Sequence, residues 1–490
     1  MLRVTSKRRI LRLAALAVIG GTGCVPSAQS EQSVVLKPGQ NLEAIVAQAP
    51  EGMRFQFEPG IYRQQTIRPK NRQEFIGQDG TILSGAMELK AWQKRSGFWH
   101  TKNTLPRPLP SDDDVCASGR DLCHFREDLF FDGRLYERVG SLDDLAPGTW
   151  HYKNRRAYLA DDPTGRSVEL SVTPLAIGAN ADDVVLKNLI VEKYASLAQQ
   201  GAIEFYDGRG WLLSNVTARW NHGVGLSFGP GTRVRGGSFS HNGQLGIKGT
   251  GEGSRIEGVE IAYNNHAGYS ARWEAGGTKF YRTKGLVVRN ACVHHNDGPG
   301  LWTDIDNIDV LYEDNTVFLN ANDGIKHEIS YDAIIRDNVV GHNGYGHDIW
   351  LWGAQILVQN SQNVKIYRNL VEVSKRFGNG IGVVHQDRGE GEYGPWNAVS
   401  NSVHQNTVVH LGSSRGQSGV ARDTDDNWFW SESANSFGWN TYIVPDETSE
   451  YWTFDDRDLV WNDVKKLRYL ERNSERIVEQ RTPMDLSCNR

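Results

Sequence analysis

Cysteine and proline are scarce in this 490-residue chain, with 5 and 16 occurrences, and methionine appears only 4 times. So few cysteines exclude a scaffold built on disulfides, and no C-x-x-C pair or HExxH signature points to a metal site. Basic charge is not in excess: 54 Lys and Arg face 59 Asp and Glu, a formal net charge of −5, so no basic field for nucleic acid exists. Beyond the first two dozen residues no apolar run is long enough to span a bilayer. Aromatics and glycine, by contrast, are plentiful (15 Trp and 52 Gly), which argues against disorder.

The N-terminus reads as an export signal over residues 1–24. Lys7, Arg8, Arg9 and Arg12 lead into the apolar run Leu13–Ile19, then small residues up to Cys24. Cys24 is a candidate lipidation site that would tether the chain to a membrane, although Gly21 stands where such signals usually carry Leu. The expected location is therefore the periplasm, the cell envelope as a lipoprotein, or the exterior. Cys116 and Cys123 flank the short loop ASGRDL, and a local disulfide suits an oxidising compartment. Cys292 sits in an apolar strand context that predicts burial, and Cys488 lies near the chain end.

A loose internal repeat organises the rest. Asn follows short apolar runs at Asn188, Asn215, Asn290, Asn315, Asn338, Asn369 and Asn406, most neighbours being about 23–31 residues apart. Gly leads short strands at Gly201, Gly225, Gly246, Gly268, Gly300, Gly324 and Gly380. One such unit cannot bury its own apolar side, but a stack can. The expected fold is all-β, a right-handed parallel β-helix (the pectate-lyase-like solenoid) with a small inserted antiparallel β domain. The alternative is a sandwich with regularly spaced turns, but sandwiches rarely repeat Asn and Gly in one phase. The expected segments are an N-terminal cap and first coils over 33–90, with a short helix at Asn41–Gln48 closing the end. The inserted domain follows over 91–175, the main helix over 176–422, and a Trp-rich lid or cap over 423–490, with a helix near Leu459–Leu470.

Strand alternation then sorts the side chains. The residue after each Gly (Leu226, Ile247, Leu301, Ile325, Ile381) should point inward. Outward go Lys248, Ser270 and Arg272, Trp302 and Asp304, Lys326 and Glu328, with Trp350 and Trp352 by extension and Glu204 and Tyr206 at the other side. Trp rings beside charged groups suit sugars, which offer apolar ring faces and hydroxyls, so an oligo- or polysaccharide is the expected partner of a monomeric chain. The bland alternative is that the C-terminal segment covers the Trp residues. Asp304 and Glu328 share one phase on successive coils, and strands lie about 4.8 Å apart, so their carboxyls should face each other at roughly 5 Å. That spacing suits a retaining glycosidase; a structural pair bound to Lys326 and Arg272 is the alternative. Asp306 could bind a sugar hydroxyl or a cation, or serve as a turn acid. His294, His295 and the run His385-Gln-Asp387-Arg388 fall at coil corners near the groove, where satisfied turn residues are commoner than catalysts.

The segments G300-L-W-T-D304-I and D323-G-I-K-H-E328-I-S, followed by I-I-R-D337-N338, resemble the active-centre coils of β-helix β-xylosidases and related glycoside hydrolases. The inserted β domain is also similar. The resemblance implies Asp304 as nucleophile and Glu328 as acid/base. It covers about two coils well. Ile305 stands where the family has an aromatic, and Tyr331 where it has His, so β-xyloside specificity does not carry over.

Three readings therefore compete: a retaining hydrolase without a cofactor, a polysaccharide lyase or uronate epimerase, and a non-catalytic glycan binder. In the second, Lys326 or Arg272 would draw the proton and a cation or Arg would neutralise the uronate. No acidic cluster for calcium supports that reading.

Overall fold

The computed structural model describes residues 33–108, 115–347, 349–412, 416–425, 428–454, 456–467 and 470–488. The segment expected to be an export signal, with Cys24, lies outside the described residues.

Short strands stack in register into three parallel ladders, which makes the body a right-handed parallel β-helix. Each ladder contributes one inward side chain per coil. Leu213, Val234, Ile256, Val288, Tyr312 and Ile335 lie one above the next in the first. Ala218, Phe239, Ile261, Val293, Val317 and Val340 do so in the second. The third runs through Ile203, Leu226, Ile247, Thr278, Leu301, Ile325, Ile356 and Ile381. All of these are buried. A fully buried Leu, Ile or Val is worth roughly 1.5–3 kcal/mol, and a coil gains that only with neighbours above and below.

The repeating asparagines divide by one residue of phase. Asn188, Asn215 and Asn290 adopt left-handed backbone at the turn itself. Asp314, Asp337, Arg368 and Gln405 take that position in later coils, which turns the following Asn inward. Asn315, Asn338, Asn369, Asn406 and Asn440 then form a buried side-chain ladder with N···O distances of 2.9 to 3.1 Å. A second ladder, Asn221–Asn242–Asn264–Asn296–Asn320–Asn343, runs at another corner and ends on Gln355.

The helix Leu42–Gln48 closes the N-terminal end: the Asn41 side chain accepts the Ala44 N–H at 3.0 Å, and Leu42 and Val46 are buried in the core. The insertion spans the strands from Ala86–Glu88 to Val168–Ser171 in an 8-stranded, mostly antiparallel sheet. It has its own core around Leu129, Trp150, Leu159 and Leu170. Asp132–Gly133, both at positive φ, form the two-residue turn joining Phe131 to Arg134, as the D-G signal predicts.

Two expectations are corrected. The coils do not stop at Asp423: strands Ser436–Gly438, Thr441–Val444, Trp452–Phe454 and Glu475–Val478 extend the ladders. Trp452 and Trp461 pack edge-on or tilted against Tyr442 in the core at this end instead of roofing the groove, and among the described residues the helix there is Trp461–Val464. Secondly, Cys292 is half-buried on the outer side of its strand, because Val293 takes the inward slot, and it is bonded to Cys488. The tail reaches it by running back over the flank, where the Met484 N–H donates to Glu372 at 3.0 Å. Cys116–Cys123 pair as expected. Peptide mapping without reductant should therefore recover both links, the Cys292–Cys488 peptides separating only after reduction; free thiols at either position would refute the tail's path.

Candidate functional site

The third ladder forms a 12-stranded sheet whose outer face carries the charged residues. In it, Leu301–Asp304 and Ile325–Glu328 pair in parallel, Trp302 opposite Lys326 and Asp304 opposite Glu328. Leu301 and Ile325 fill the core and Thr303 and His327 also point inward, so alternation turns the two acids out. His327 is held neutral from inside: Nε2 donates to the Tyr331 carbonyl at 2.7 Å, Nδ1 accepts from Thr303 at 2.7 Å, and burial pulls its pKa down to about 4. The residues after the two acids, Ile305 and Ile329, both have positive φ, a costly backbone for β-branched side chains.

Asp304 and Glu328 sit at the floor of a cavity of about 330 Å³, with exposures of 7% and 6%. Its lining also includes Arg272, Trp273, Trp302, Asp323, Lys326, His347, Trp352, Gln359 and Arg388. Glu328 is saturated with donors: Lys326 Nζ at 2.7 Å, Arg388 Nη1 at 3.0 Å and Trp302 Nε1 at 3.1 Å. Burial works to raise its pKa, but the two cations outweigh burial and hold the carboxyl below its ordinary range. Asp304 receives Lys279 Nζ at 2.7 Å on Oδ2, while Oδ1 is buried without a partner among the described residues. Burial, and then the charge of Glu328, push its pKa up despite that contact. Gln359, next in this column, likewise has a buried carbonyl oxygen without a donor among the described residues. Buried acceptors left open beside a cavity fit a ligand that brings hydroxyl donors.

The structure gathers some of the expected site residues and not others. Asp304, Glu328, Lys326, Trp302, Trp352 and Arg272 line one cavity. Trp302 is no open platform: it is 4% exposed, with Lys279 and Lys326 over its ring at 4.3 and 5.2 Å. Arg272 lies on a turn at the rim instead of in the strand, because the coil led by Gly268 is out of register. Its strand is Gly276–Lys284, so Gly277 takes the glycine position and Lys279 pairs with Lys248. Lys248 stands outside the cavity, bonded to Glu274 at 3.0 Å. Trp350 and Trp352 likewise precede their strand, Ala354–Gln359, which puts Leu357 and Gln359 beside Lys326 and Glu328. Trp350, 37% exposed, packs against Trp352 and does not line the cavity.

Asp306 is a turn acid: its Oδ1 accepts the Trp396 indole N–H and the Glu392 backbone N–H, each at 3.1 Å. Tyr331 donates to the Gly394 carbonyl at 2.7 Å. Together they dock the hairpin that brings Arg388 onto Glu328. His385 is buried against Phe429, stacked at 4.5 Å, because alternation from Val384 turns it inward. His294 and His295 stack with Tyr263 and Phe318 on another face. Sequence reasoning missed Lys279, Gln359 and Trp273; only Lys279 carried a local signal, the alternative glycine pair Gly276–Gly277.

Comparison with known proteins bears on the fold. The family described as right handed beta helix region matches residues 201–363. No curated protein matches significantly. The solved complex of XylC with xylose is 12% identical over 88% of this chain and 82% of that one, with a TM-score of 0.64. A glycoside hydrolase is 9% identical over 67% of this chain and 87% of that one, with a TM-score of 0.47. The A-module of mannuronan C-5 epimerase AlgE4 from Azotobacter vinelandii is 9% identical over 78% and 94%, with a TM-score of 0.44. At these identities, what the chain shares with XylC is its architecture, a right-handed parallel β-helix.

Proposed function

We propose that this chain is an exported, carbohydrate-active enzyme that hydrolyses a glycosidic bond with retention of configuration. The observation that carries the reading is the direct pairing of Asp304 with Glu328 on the outer face of adjacent strands, at the floor of a cavity. Adjacent strands lie about 4.8 Å apart, near the separation of roughly 5–5.5 Å that a covalent glycosyl intermediate needs. In the first step a Glu328 oxygen bonds to the anomeric carbon as the bond to the leaving oxygen breaks, and Asp304 gives that oxygen its proton. Asp304 then takes a proton from water, whose oxygen displaces Glu328 and restores the carboxylate. Lys326, Arg388 and the Trp302 indole favour the ionised Glu328, whereas burial beside that charge keeps the proton on Asp304. This order of roles is the reverse of the one the xylosidase resemblance implies.

Lys326 is a poor candidate for the base of a lyase. Its ammonium is paired with Glu328, and although burial lowers its pKa, Glu328 and Asp323 hold it above the ordinary lysine value. The XylC likeness agrees with saccharide chemistry, and two disulfides agree with an oxidising, extracytoplasmic location.

Activity should trace a bell against pH. It rises as Glu328 loses its proton at a depressed pKa and falls as Asp304 loses its own at a raised one. Arg388→Ala removes one cation from Glu328, so the acid limb of kcat/KM should move to higher pH while the alkaline limb moves less. An unchanged acid limb would show that Glu328 is not the group that must ionise.

A further inference from the structure

The charges at the cavity floor are paired with one another, whereas the rim carries guanidinium groups. The acids are at the floor: Asp304, Asp323 and Glu328 are all buried. Each is already engaged, Asp304 by Lys279, Glu328 by Lys326 and Arg388, and Asp323 by the Ala354 N–H at 2.9 Å. At the rim, Arg272 is exposed and its guanidinium has no hydrogen-bond or ion-pair partner among the described residues. The Arg388 side chain is 36% exposed and, among the described residues, commits only Nη1, to Glu328. A ligand seated with its scissile bond over the two acids therefore meets guanidinium groups with its outer substituents.

The two arginines also flank the acids. Arg272 precedes the strand Gly276–Lys284, one strand to one side of Asp304, and Arg388 follows the strand Asn379–Gln386, two strands beyond Glu328. The line between them crosses the catalytic pair. Guanidinium is the cation best matched to a planar carboxylate, which it grips through two parallel N–H donors.

We propose that the saccharide taken by this groove is acidic, with uronate units whose carboxylates bind Arg272 on one side of the cleaved bond and Arg388 on the other. This rests on the groove being a saccharide site, but not on which reaction occurs there. Calorimetry with the Glu328→Gln protein, which separates binding from turnover, tests it using hexamers of mannuronate, guluronate, galacturonate and glucuronate against neutral xylohexaose and mannohexaose.

At least one uronate hexamer should bind tenfold or more tightly than either neutral one, and that preference should shrink as NaCl is raised. Adding Arg272→Ala should weaken uronate binding by roughly tenfold or more and leave neutral hexamers unaffected. Arg272→Lys should recover only part of the loss. Neutral hexamers binding as well as every uronate, or Arg272→Ala leaving uronate affinity unchanged, would overturn the proposal. If uronates bind and the wild-type protein does not hydrolyse them, the hydrolase reading fails and this one stands. If only neutral glycans are bound and cleaved, the reverse holds.

Discussion

Glu328→Gln is expected to lower turnover on every glycoside, by about 10⁴-fold or more, because it removes the atom that forms the covalent bond. Asp304→Asn should behave differently. Its role is to protonate the leaving oxygen, and a nitrophenolate leaves without that help. On a natural saccharide the loss should be about 10²–10⁴-fold, whereas on an activated aryl glycoside the first step should persist and the glycosyl–enzyme should accumulate as a burst. Both replacements are nearly isosteric and keep the side chains' volume in the cavity floor, so unfolding midpoints serve as the control. The opposite pattern, with Glu328→Gln sparing activated substrates, would restore the order of roles that the xylosidase resemblance implies. Full activity in both variants on a substrate the wild type cleaves would remove the pair from catalysis altogether.

Asn320→Ala should cost on the order of 3–5 kcal/mol of stability, far more than its size suggests. The Asn320 side chain accepts the backbone and side-chain N–H groups of Asn296 at 3.2 and 2.8 Å. It donates to the Val293 carbonyl at 3.2 Å and to Asn343 at 2.9 Å. Alanine leaves these groups buried at a corner with nothing to replace them. Asn188→Ala is the comparison: Asn188 is exposed at a left-handed turn and accepts one solvent-facing hydrogen bond, from Asn215 at 3.0 Å, so the cost there is little more than the backbone penalty of about 1–2 kcal/mol. Urea denaturation followed by far-ultraviolet circular dichroism reads both. Because each coil touches only its neighbours, Asn320→Ala can also split the transition into two. Equal midpoints for the two variants would mean that the ladder contributes nothing beyond its turns.

The two ladders show how far a repeat can be read. Asn and Gly recurring with short apolar runs announce a stacked coil, because each signal is local: an apolar residue every second position, a turn that tolerates left-handed backbone. Which Asn faces inward was not legible, since a shift of one residue moves the side chain from solvent to core while leaving the motif intact. Asn188 and Asn315 look alike in sequence and lie on opposite sides of the wall.

The acidic pair belongs to the legible part. Leu301–Asp304 and Ile325–Glu328 follow their glycines without interruption, so alternation and the strand spacing alone put Asp304 beside Glu328. The groups around them do not follow from local rules. The turn at 270–274 and the residues at 349–353 stand ahead of their strands, which moves Arg272, Trp350 and Trp352 off the column and brings Lys279 and Gln359 onto it. Arg388 reaches Glu328 from 60 residues away, through a hairpin that Asp306 and Tyr331 hold down. Hydrophobic period and turn chemistry are properties of a few consecutive residues, and they determined the coil and its two acids. Charge state and access depend on which cation lies within a few ångströms, and only the stacking of coils with unequal loops decided that.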